Sequence, residues 1–199
     1  MEGLRRRDLE PDPLRQFARW FEDAHAAGGR LPEAVALATA TADARPSARM
    51  VLLKGFEPDG FVFYSGYESR KGRELDENPR AALVFYWQPL GRQVRVEGTV
   101  RRLAPKASDD YWATRPARSR AAAAASRQSS AIEDLAALET EAERLLAEHD
   151  GDVPRPERWG GYVLEPEAIE LWQHRDDRLH DRVRYTRARE GWHSERLSP

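Results

Sequence analysis

The chain has 199 residues, of which 40% are hydrophobic and 33% charged, and this is typical of one globular domain. Its 32 basic and 34 acidic side chains give a formal net charge of −2, whereas general nucleic-acid-binding proteins carry a strong positive field. The absence of cysteine excludes disulfides, thiolate metal sites and cysteine nucleophiles. No apolar run approaches the roughly 20 residues of a membrane span, and the N-terminus lacks a secretory signal pattern. We therefore expect a cytoplasmic protein that binds neither nucleic acid nor membrane.

The N-terminal region predicts an amphipathic helix from about residue 12. Asp12 is a suitable N-cap, and Pro13 suits the first helical position. Gly28 and Gly29 are expected to end the helix. Apolar residues recur at helical spacing at Leu14, Phe17, Ala18, Phe21 and Ala24.

The rest of the chain reads mainly as β-structure. Predicted strands cover 34–41, 48–54, 61–65, 81–87, 93–103, 162–173, 178–185 and 192–197, and predicted helices cover 69–78, 105–114 and 130–148. A turn at Pro58-Asp59-Gly60 predicts that the second and third strands form a hairpin. Strands and helices do not alternate regularly and no GxGxxG motif is present, so a Rossmann sheet is disfavoured. We predict a closed or partly closed antiparallel barrel with peripheral helices.

The strongest local signal for a ligand is Ser69-Arg70-Lys71-Gly72 at the start of a predicted helix. Free N–H groups at a helix start attract anions. Two cations in a first turn oppose the helix dipole, and a bound phosphate would remove that conflict. The alternative is a solvated basic turn.

Other charged segments offer weaker signals. Arg49 and Lys54 bracket an apolar strand and would point to opposite faces of a regular one, so either the strand bends or the two cations serve different parts of a site. Gln93 could direct its amide at a ring system, although a half-buried strand also explains its segment. Arg178 and His180 would share a face with Arg182 if extended, and like charges so close favour a bound anion. Solvent-facing strand ends and a charged edge strand are the alternatives.

A further set of donors suits a phosphate monoester. Tyr111, Arg115 and Ser119 recur every four residues, so they would share one face of a continuous helix, although Pro116 makes its last turn irregular. Gln128-Ser129 could cap a helix or contact a ligand. We expect no metal site, because His174 and His180 have no third ligand at useful spacing.

Taken in order, these segments resemble the pyridoxamine 5′-phosphate oxidase family over nearly the whole chain. The stretches that carry the resemblance are Arg49–Lys54, Phe63-Tyr64-Ser65, Ser69-Arg70-Lys71, Arg92–Gly98, Tyr111–Pro116, Gln128-Ser129, Trp159–Tyr162, Trp172-Gln173 and Arg178–Arg182. Each is weak alone, and their joint order and spacing carry the identification.

The resemblance implies a mainly β fold with peripheral helices: an FMN-binding split β-barrel of antiparallel Greek-key type. It implies a single domain over residues 1–199, with an N-terminal arm and helix (1–29) and a C-terminal dimerisation and substrate segment (157–199). The protein would be a homodimer with FMN at the interface.

The resemblance also assigns site residues. FMN would be held by Arg49, Met50, Val51, Leu52, Leu53, Lys54, Tyr64, Ser65, Arg70, Lys71, Gln93, Gln128, Ser129, Trp172 and Arg182. The substrate would be held by Lys54, Tyr111, Arg115, Ser119, Arg178, Leu179 and His180, of which Arg178 and His180 would be catalytic.

The implied reaction is the FMN-dependent oxidation of pyridoxamine or pyridoxine 5′-phosphate by O2 to pyridoxal 5′-phosphate, with release of hydrogen peroxide. The chain departs from the family pattern at three positions. The family usually has glutamine where this chain has Arg120 and glycine where it has Ala122, and many members have glycine where it has His174. These departures bear on the substrate more than on FMN. Alternatives are a related FMN oxidase of the phenazine-pathway type and a non-catalytic carrier of FMN or pyridoxal phosphate. Lys54, Arg95 and Tyr111 favour the vitamin B6 branch.

Overall fold

The computed structural model describes residues 4–56 and 60–199. Residues 1–3 of the predicted N-terminal arm, and Pro58 and Asp59 of the predicted turn, lie outside the described residues. In the described part of the chain, no helix is both long enough and apolar enough to cross a bilayer.

In the described part of the chain, the first α-helix precedes the strands and the other α-helices connect them. They are α1 (Pro13–Ala26), α2 (Arg70–Glu77), α3 (Pro105–Thr114), α4 (Ala117–Ala125) and α5 (Leu135–Glu148), with short 3-10 helices at Arg6–Asp8 and Gln88–Leu90. Asp12 caps α1 as predicted, because its side chain accepts a hydrogen bond of 2.9 Å from the Leu14 N–H. Gly28 follows the helix with a φ of 72°, which a residue without a Cβ adopts without strain.

The strands form one antiparallel sheet. They are β1 (Ala34–Ala40), β2 (Pro46–Leu52), β3 (Gly55–Phe56), β4 (Phe61–Gly66), β5 (Arg80–Trp87), β6 (Arg92–Arg102), β7 (Trp159–Gln173), β8 (Asp181–Arg187) and β9 (Trp192–Arg196). The main path runs β2-β1-β5-β6-β7-β4-β3, and β8 extends it from β7 to β9. The mainly β prediction is therefore confirmed.

Strand β7 serves two parts of the sheet. Its first half pairs with β4 and its second half with β8, while β6 pairs along both halves. The register shifts between the halves, where Gly98 lies opposite Pro166 and Glu97 lies opposite Ala168. A Cβ on Gly98 would lie 2.0 Å from the Glu165 carbonyl oxygen, so only glycine permits this close approach.

The barrel stays open on one side. Strand β2 also approaches β4, but among the described residues these two strands contact each other without forming a ladder. Six strands therefore come round into a barrel that is split between β2 and β4. This opening is where the polar side chains of the predicted site collect.

The core is filled by aromatic side chains from α1 and the barrel strands. Phe17 of α1 is fully buried, and its ring lies 4.9 Å from Phe61, 5.0 Å from Phe85 and 5.0 Å from Phe56 between centroids. The helix therefore packs into the barrel by the apolar face that the sequence predicted.

The predicted hairpin between 48–54 and 61–65 is wrong in detail. Strand β2 pairs with β1 along its length, and the two-residue β3 pairs with β4 instead. The chain leaves the strand at Leu53, whose side chain is 5% exposed and packs in the core. The hydrophobic pattern did not show this change of partner.

Three boundaries differ from the sequence prediction by three residues or more. The last helix begins at Leu135 rather than 130, because Asp134 caps it by accepting a hydrogen bond from Ala136 N–H at 2.8 Å. The strand predicted over 178–185 begins at Asp181, and β7 begins at Trp159 rather than 162. The helix predicted over 105–114 is confirmed, and because α4 begins only at Ala117, Tyr111 and Ser119 lie on different helices.

We predict that Phe17→Ala lowers the free energy of unfolding by about 3–5 kcal/mol, because it removes a ring at the centre of the aromatic core. Urea unfolding at a fixed protein concentration measures this change. Leu135→Ala is the control: Leu135 is 60% exposed, so its truncation should change stability by less than about 0.5 kcal/mol. Equal effects of the two substitutions would contradict this description of the core.

Candidate functional site

A cavity of about 720 Å³ lies at the opening between β2 and β4. We call it the split cavity. Thirteen residues predicted as ligands line it: Arg49, Met50, Val51, Leu52, Lys54, Tyr64, Ser65, Arg70, Lys71, Tyr111, Arg115, Gln128 and Ser129. Segments far apart in the sequence are thus brought to one place.

Two cations reach the split cavity from the β2 region. Arg49 lies within the strand, while Lys54 follows its end at Leu52, and both line the cavity. Of the two arrangements left open by the sequence, the structure selects the one in which the chain departs from a regular strand.

The start of α2 brings two more cations to the same wall. Ser69 caps the helix by accepting a hydrogen bond of 3.3 Å from Gly72 N–H. Lys71 is 6% exposed, and its Nζ donates to Ser65 Oγ at 3.0 Å and Ser69 Oγ at 3.3 Å. Burial, and secondly the positive charge of Arg49, lower the pKa of Lys71 to about 8.

A buried carboxylate lies behind these cations. The Glu74 side chain is 4% exposed. Its oxygens accept hydrogen bonds from four groups: Thr39 Oγ1, Ser47 Oγ, Arg49 Nη2 and Arg70 Nε. Burial opposes ionisation, but these donated bonds outweigh it and lower the pKa of Glu74 to about 2. The carboxylate is therefore charged throughout the neutral range.

Aromatic rings form a second wall of the cavity. Tyr64 and Tyr111 stack with centroids 3.8 Å apart, and Tyr64 also stacks on Trp159 at 5.5 Å. Burial raises the pKa of the Tyr111 hydroxyl. Tyr111 therefore stays protonated at neutral pH and can donate a hydrogen bond to an anion.

Arg115 has unused hydrogen-bonding capacity beside the cavity. Its guanidinium lies 4.7 Å from the centroid of Trp159. Its Nη2 donates to the Ser119 carbonyl oxygen at 3.1 Å, whereas Nη1 is buried without a hydrogen-bond partner among the described residues. Such a donor is costly unless a ligand accepts from it. The structure does not place Ser119 in the cavity lining, and Ser119 lies on α4 whereas Tyr111 lies on α3.

The Gln128-Ser129 segment also belongs to the site rather than to a helix cap. Gln128 Oε1 accepts from Ser65 Oγ at 2.9 Å and from Gly66 N–H at 3.2 Å. Ser129 has a φ of 74°, which is uncommon for a residue with a side chain and concentrates at functional sites.

A second group of predicted residues lies elsewhere on the sheet. Gln93 on β6 is directly opposite Trp172 on β7, which is directly opposite Arg182 on β8. We call these three the Trp172 row. Arg182 is paired with Glu170 at 2.8 Å, and none of the three lines the split cavity.

The predicted catalytic residues flank the Trp172 row. The His180 ring lies 4.7 Å from Trp172 between centroids, and its Nδ1 accepts a hydrogen bond of 3.1 Å from the Arg175 N–H. The neutral imidazole therefore carries its proton on Nε2. Arg178 has a φ of 66° in the loop before β8, so the predicted extended run is wrong there. Arg178 and Leu179 are exposed, and neither they nor His180 line the split cavity.

Some residues of the site were not found from the sequence. Thr39, Ser47 and Glu74 form the buried network, and Glu74 could have been noticed because it lies four residues after Arg70 on one helix face. Among the predicted FMN ligands, Leu53 also lies outside the cavity, since it packs in the core. Arg95, which favours the vitamin B6 branch, pairs with Glu97 and Glu170 on the sheet.

The fit of a phosphorylated ligand can be judged from these contacts. The split cavity combines cations on two sides, protonated hydroxyl groups and one buried donor without a partner. Phosphate monoesters bind through such groups. The stacked aromatic wall suits a planar ring.

Two family profiles match the chain. Residues 21–148 match the profile "Pyridoxamine 5′-phosphate oxidase", and residues 159–199 match "Pyridoxine 5′-phosphate oxidase C-terminal dimerisation region". A protein of Rubrobacter xylanophilus named pyridoxine/pyridoxamine 5′-phosphate oxidase is 54% identical over 198 residues, which cover 99% of this chain and 91% of that protein. One of the same name from Paraburkholderia phymatum is 53% identical and covers 96% of this chain and 91% of its own length.

Solved structures with the same fold include PhzG from Burkholderia lata, in complex with tetrahydrophenazine-1-carboxylic acid. It aligns with a TM-score of 0.95 at 37% identity, over 100% of this chain and 99% of that one. A pyridoxamine 5′-phosphate oxidase-related, FMN-binding protein of Nostoc punctiforme aligns with a TM-score of 0.75 at 18% identity, over 94% and 98%. These neighbours confirm the split-barrel prediction. The chain therefore belongs to the pyridoxamine 5′-phosphate oxidase family of oxidoreductases.

Proposed function

We propose that this protein binds FMN and uses O2 to oxidise pyridoxamine or pyridoxine 5′-phosphate to pyridoxal 5′-phosphate, releasing hydrogen peroxide. The observation that carries the proposal is the collection of Arg49, Arg70 and Lys71 at one wall of the split cavity, with further donors at another wall. The names of the relatives support the same reaction.

The FMN phosphate is assigned to the wall formed by β2 and α2. Three cations there, Arg49, Arg70 and Lys71, face one carboxylate, Glu74. Their balance of about two positive charges matches a phosphate monoester, which carries about −1.5 to −2. Ser65 and Gln128 supply hydrogen-bonding groups beside them.

The substrate phosphate is assigned to a second group of residues that line the same cavity. These are Lys54, Tyr111 and Arg115, and the unpaired Arg115 Nη1 provides a ready donor. Ser119 stays a proposed ligand. Its carbonyl oxygen accepts a hydrogen bond from Arg115 and so orients that guanidinium.

We infer that a second copy of the chain completes the site. Met50, Tyr86 and Leu31 are 63%, 58% and 57% exposed, unusual values for large apolar side chains. All three line a groove of about 480 Å³, and Met50 also lines the split cavity. A partner packed on this face would bring its own Trp172 row toward the flavin, together with its catalytic loop, the segment 178–180 that precedes β8. The profile for a C-terminal dimerisation region supports a homodimer, and we propose that FMN lies at its interface.

Bound FMN would supply the redox chemistry, a two-electron oxidation at the C4′ carbon of the substrate with O2 as the final acceptor, and oxidation of the amine substrate would also consume water and release ammonia. The protein positions the reactants and balances charge. His180 can donate through Nε2, since its Nδ1 already accepts from Arg175. Arg178 has a positive φ and an exposed side chain, and we assign it the role of carrying its charge over the reacting carbon in the dimer.

A second candidate function is supported by the likeness to PhzG, which was solved with a phenazine precursor. The higher identity to the vitamin B6 oxidases and the cationic wall around Lys54 and Arg115 favour a phosphorylated substrate. A carrier without catalysis is the remaining alternative. Peroxide production from pyridoxamine 5′-phosphate, pyridoxine 5′-phosphate and a dihydrophenazine carboxylate separates the three.

We predict that Arg178→Ala lowers kcat at least about tenfold while FMN stays bound. The reason is that the guanidinium stabilises the transition state and contributes little to the binding of the cofactor. Peroxide release measures turnover, and flavin absorbance measures occupancy. Arg189→Ala, which removes an exposed arginine from the loop before β9, should leave both unchanged. Loss of flavin from Arg178→Ala would contradict this division of roles.

We predict that FMN affinity falls as the pH rises through about 8, the pKa to which burial lowers Lys71. Below this pH Lys71 is charged and pairs with the phosphate. Above it, binding must take up a proton, so Kd should rise by up to about tenfold per pH unit. Fluorescence titrations at pH 7 to 9 measure the trend.

Two controls isolate the Lys71 contribution. Riboflavin lacks the phosphate, so its affinity should change much less over the same range. Lys71→Met should bind FMN weakly with a flat pH profile. A steep profile in Lys71→Met would assign the titration to another group.

A further inference from the structure

We propose that Glu74 is a positioning residue that makes the split cavity selective for the phosphorylated form of its flavin. The inference rests on the proposed binding of FMN. It concerns a side chain that does not line the cavity and touches its cations from behind.

Glu74 joins the two guanidinium groups that face the cavity. Oε2 accepts from Arg49 Nη2 at 3.1 Å, and Oε1 accepts from Arg70 Nε at 2.9 Å. Arg49 comes from β2 and Arg70 from α2, so one carboxylate sets the relative position of groups on two elements.

The carboxylate itself is fixed. Thr39 on β1 and Ser47 on β2 both donate to Oε2, the latter at 2.6 Å. Thr39 is 3% exposed and also accepts from Arg49 Nη1. A buried, fully hydrogen-bonded acid of this kind holds its neighbours in one orientation.

The contribution to Arg70 is the larger of the two. Arg70 is 61% exposed at its side chain and reaches Glu74 as its ion-pair partner, whereas Arg49 has further contacts with Leu37 O and Ser47 Oγ. Without the carboxylate, Arg70 would lose orientation toward the cavity and sample many rotamers, at a cost in entropy on binding.

Charge and orientation predict opposite signs for one substitution. Glu74→Gln removes a negative charge from the phosphate wall, and by Coulomb attraction alone this would tighten the binding of an anion. It also replaces one of the two acceptor oxygens, which serve Arg49 and Arg70 separately, by an NH2 group that cannot accept a hydrogen bond. If Glu74 acts by positioning, FMN binds more weakly although the site is more positive.

The test compares FMN with riboflavin by fluorescence titration of wild type, Glu74→Gln and Glu77→Gln. Glu77 lies exposed on the same helix, and no described hydrogen bond or ion pair joins it to Arg49 or Arg70. Its substitution therefore removes the same charge and leaves the contacts of both arginines intact. We expect Kd for FMN to rise about tenfold or more in Glu74→Gln, as expected for losing a charge-assisted hydrogen bond. Riboflavin affinity in Glu74→Gln, and both affinities in Glu77→Gln, should stay within about threefold of wild type.

Each result has a distinct meaning. Unchanged or tighter FMN binding by Glu74→Gln overturns the inference, and so does an equal loss for both flavins, which would indicate general distortion. A wild type that binds neither flavin overturns the proposed function instead. If Glu74→Gln does not fold, Thr39→Val decides: it is similar in shape, it removes one hydrogen bond to Glu74 and one from Arg49, and it should show a smaller loss confined to FMN. Wild-type selectivity in a folded Thr39→Val would then overturn the inference.

Discussion

The site depends on the attraction between a few cations and one buried carboxylate. Arg49, Arg70 and Lys71 would repel one another if they were held together alone, and Lys71 is already partly destabilised in its charged form by burial. Glu74 offsets part of that repulsion and leaves an excess of positive charge on the wall. The remaining charge is available to a ligand, and this is why the site suits a dianion rather than a neutral molecule.

The barrel makes this arrangement possible. Strands β2 and β4 contact each other without pairing in the described residues, so polar side chains from both strands can face a cavity. Had the two strands formed a ladder, the opening would be closed. The rigid aromatic core around Phe17 supports the opposite side, and stability and binding are thus divided between two regions of the same sheet.

Much of this could be predicted from the sequence. The N-cap at Asp12, the helix start at Ser69-Arg70-Lys71-Gly72 and most of the strands follow from local rules, and all three appear in the structure. The exchange of partners at Leu53 could not be predicted, because it depends on where that side chain finds space in the core. For Glu74 the spacing to Arg70 was visible in the sequence, but its burial beside Thr39 was not, because only the fold brings these two residues together.

The proposed site residues form two groups that lie apart in a single chain. Residues of the split cavity lie together within one chain, whereas the Trp172 row lies across β6 to β8 and His180 immediately precedes β8. We propose that this second group serves the flavin of a second copy. The proposed site therefore combines a phosphate wall within each chain with the catalytic loop (178–180) of its partner.

A crystal structure of the protein with riboflavin 5′-phosphate tests the central claim most directly. The account predicts a dimer in which the phosphate lies within hydrogen-bonding distance of Arg49, Arg70 and Lys71, while the ring contacts the partner subunit's Trp172. A phosphate bound away from these three cations, or a ring enclosed by a single chain, would contradict it.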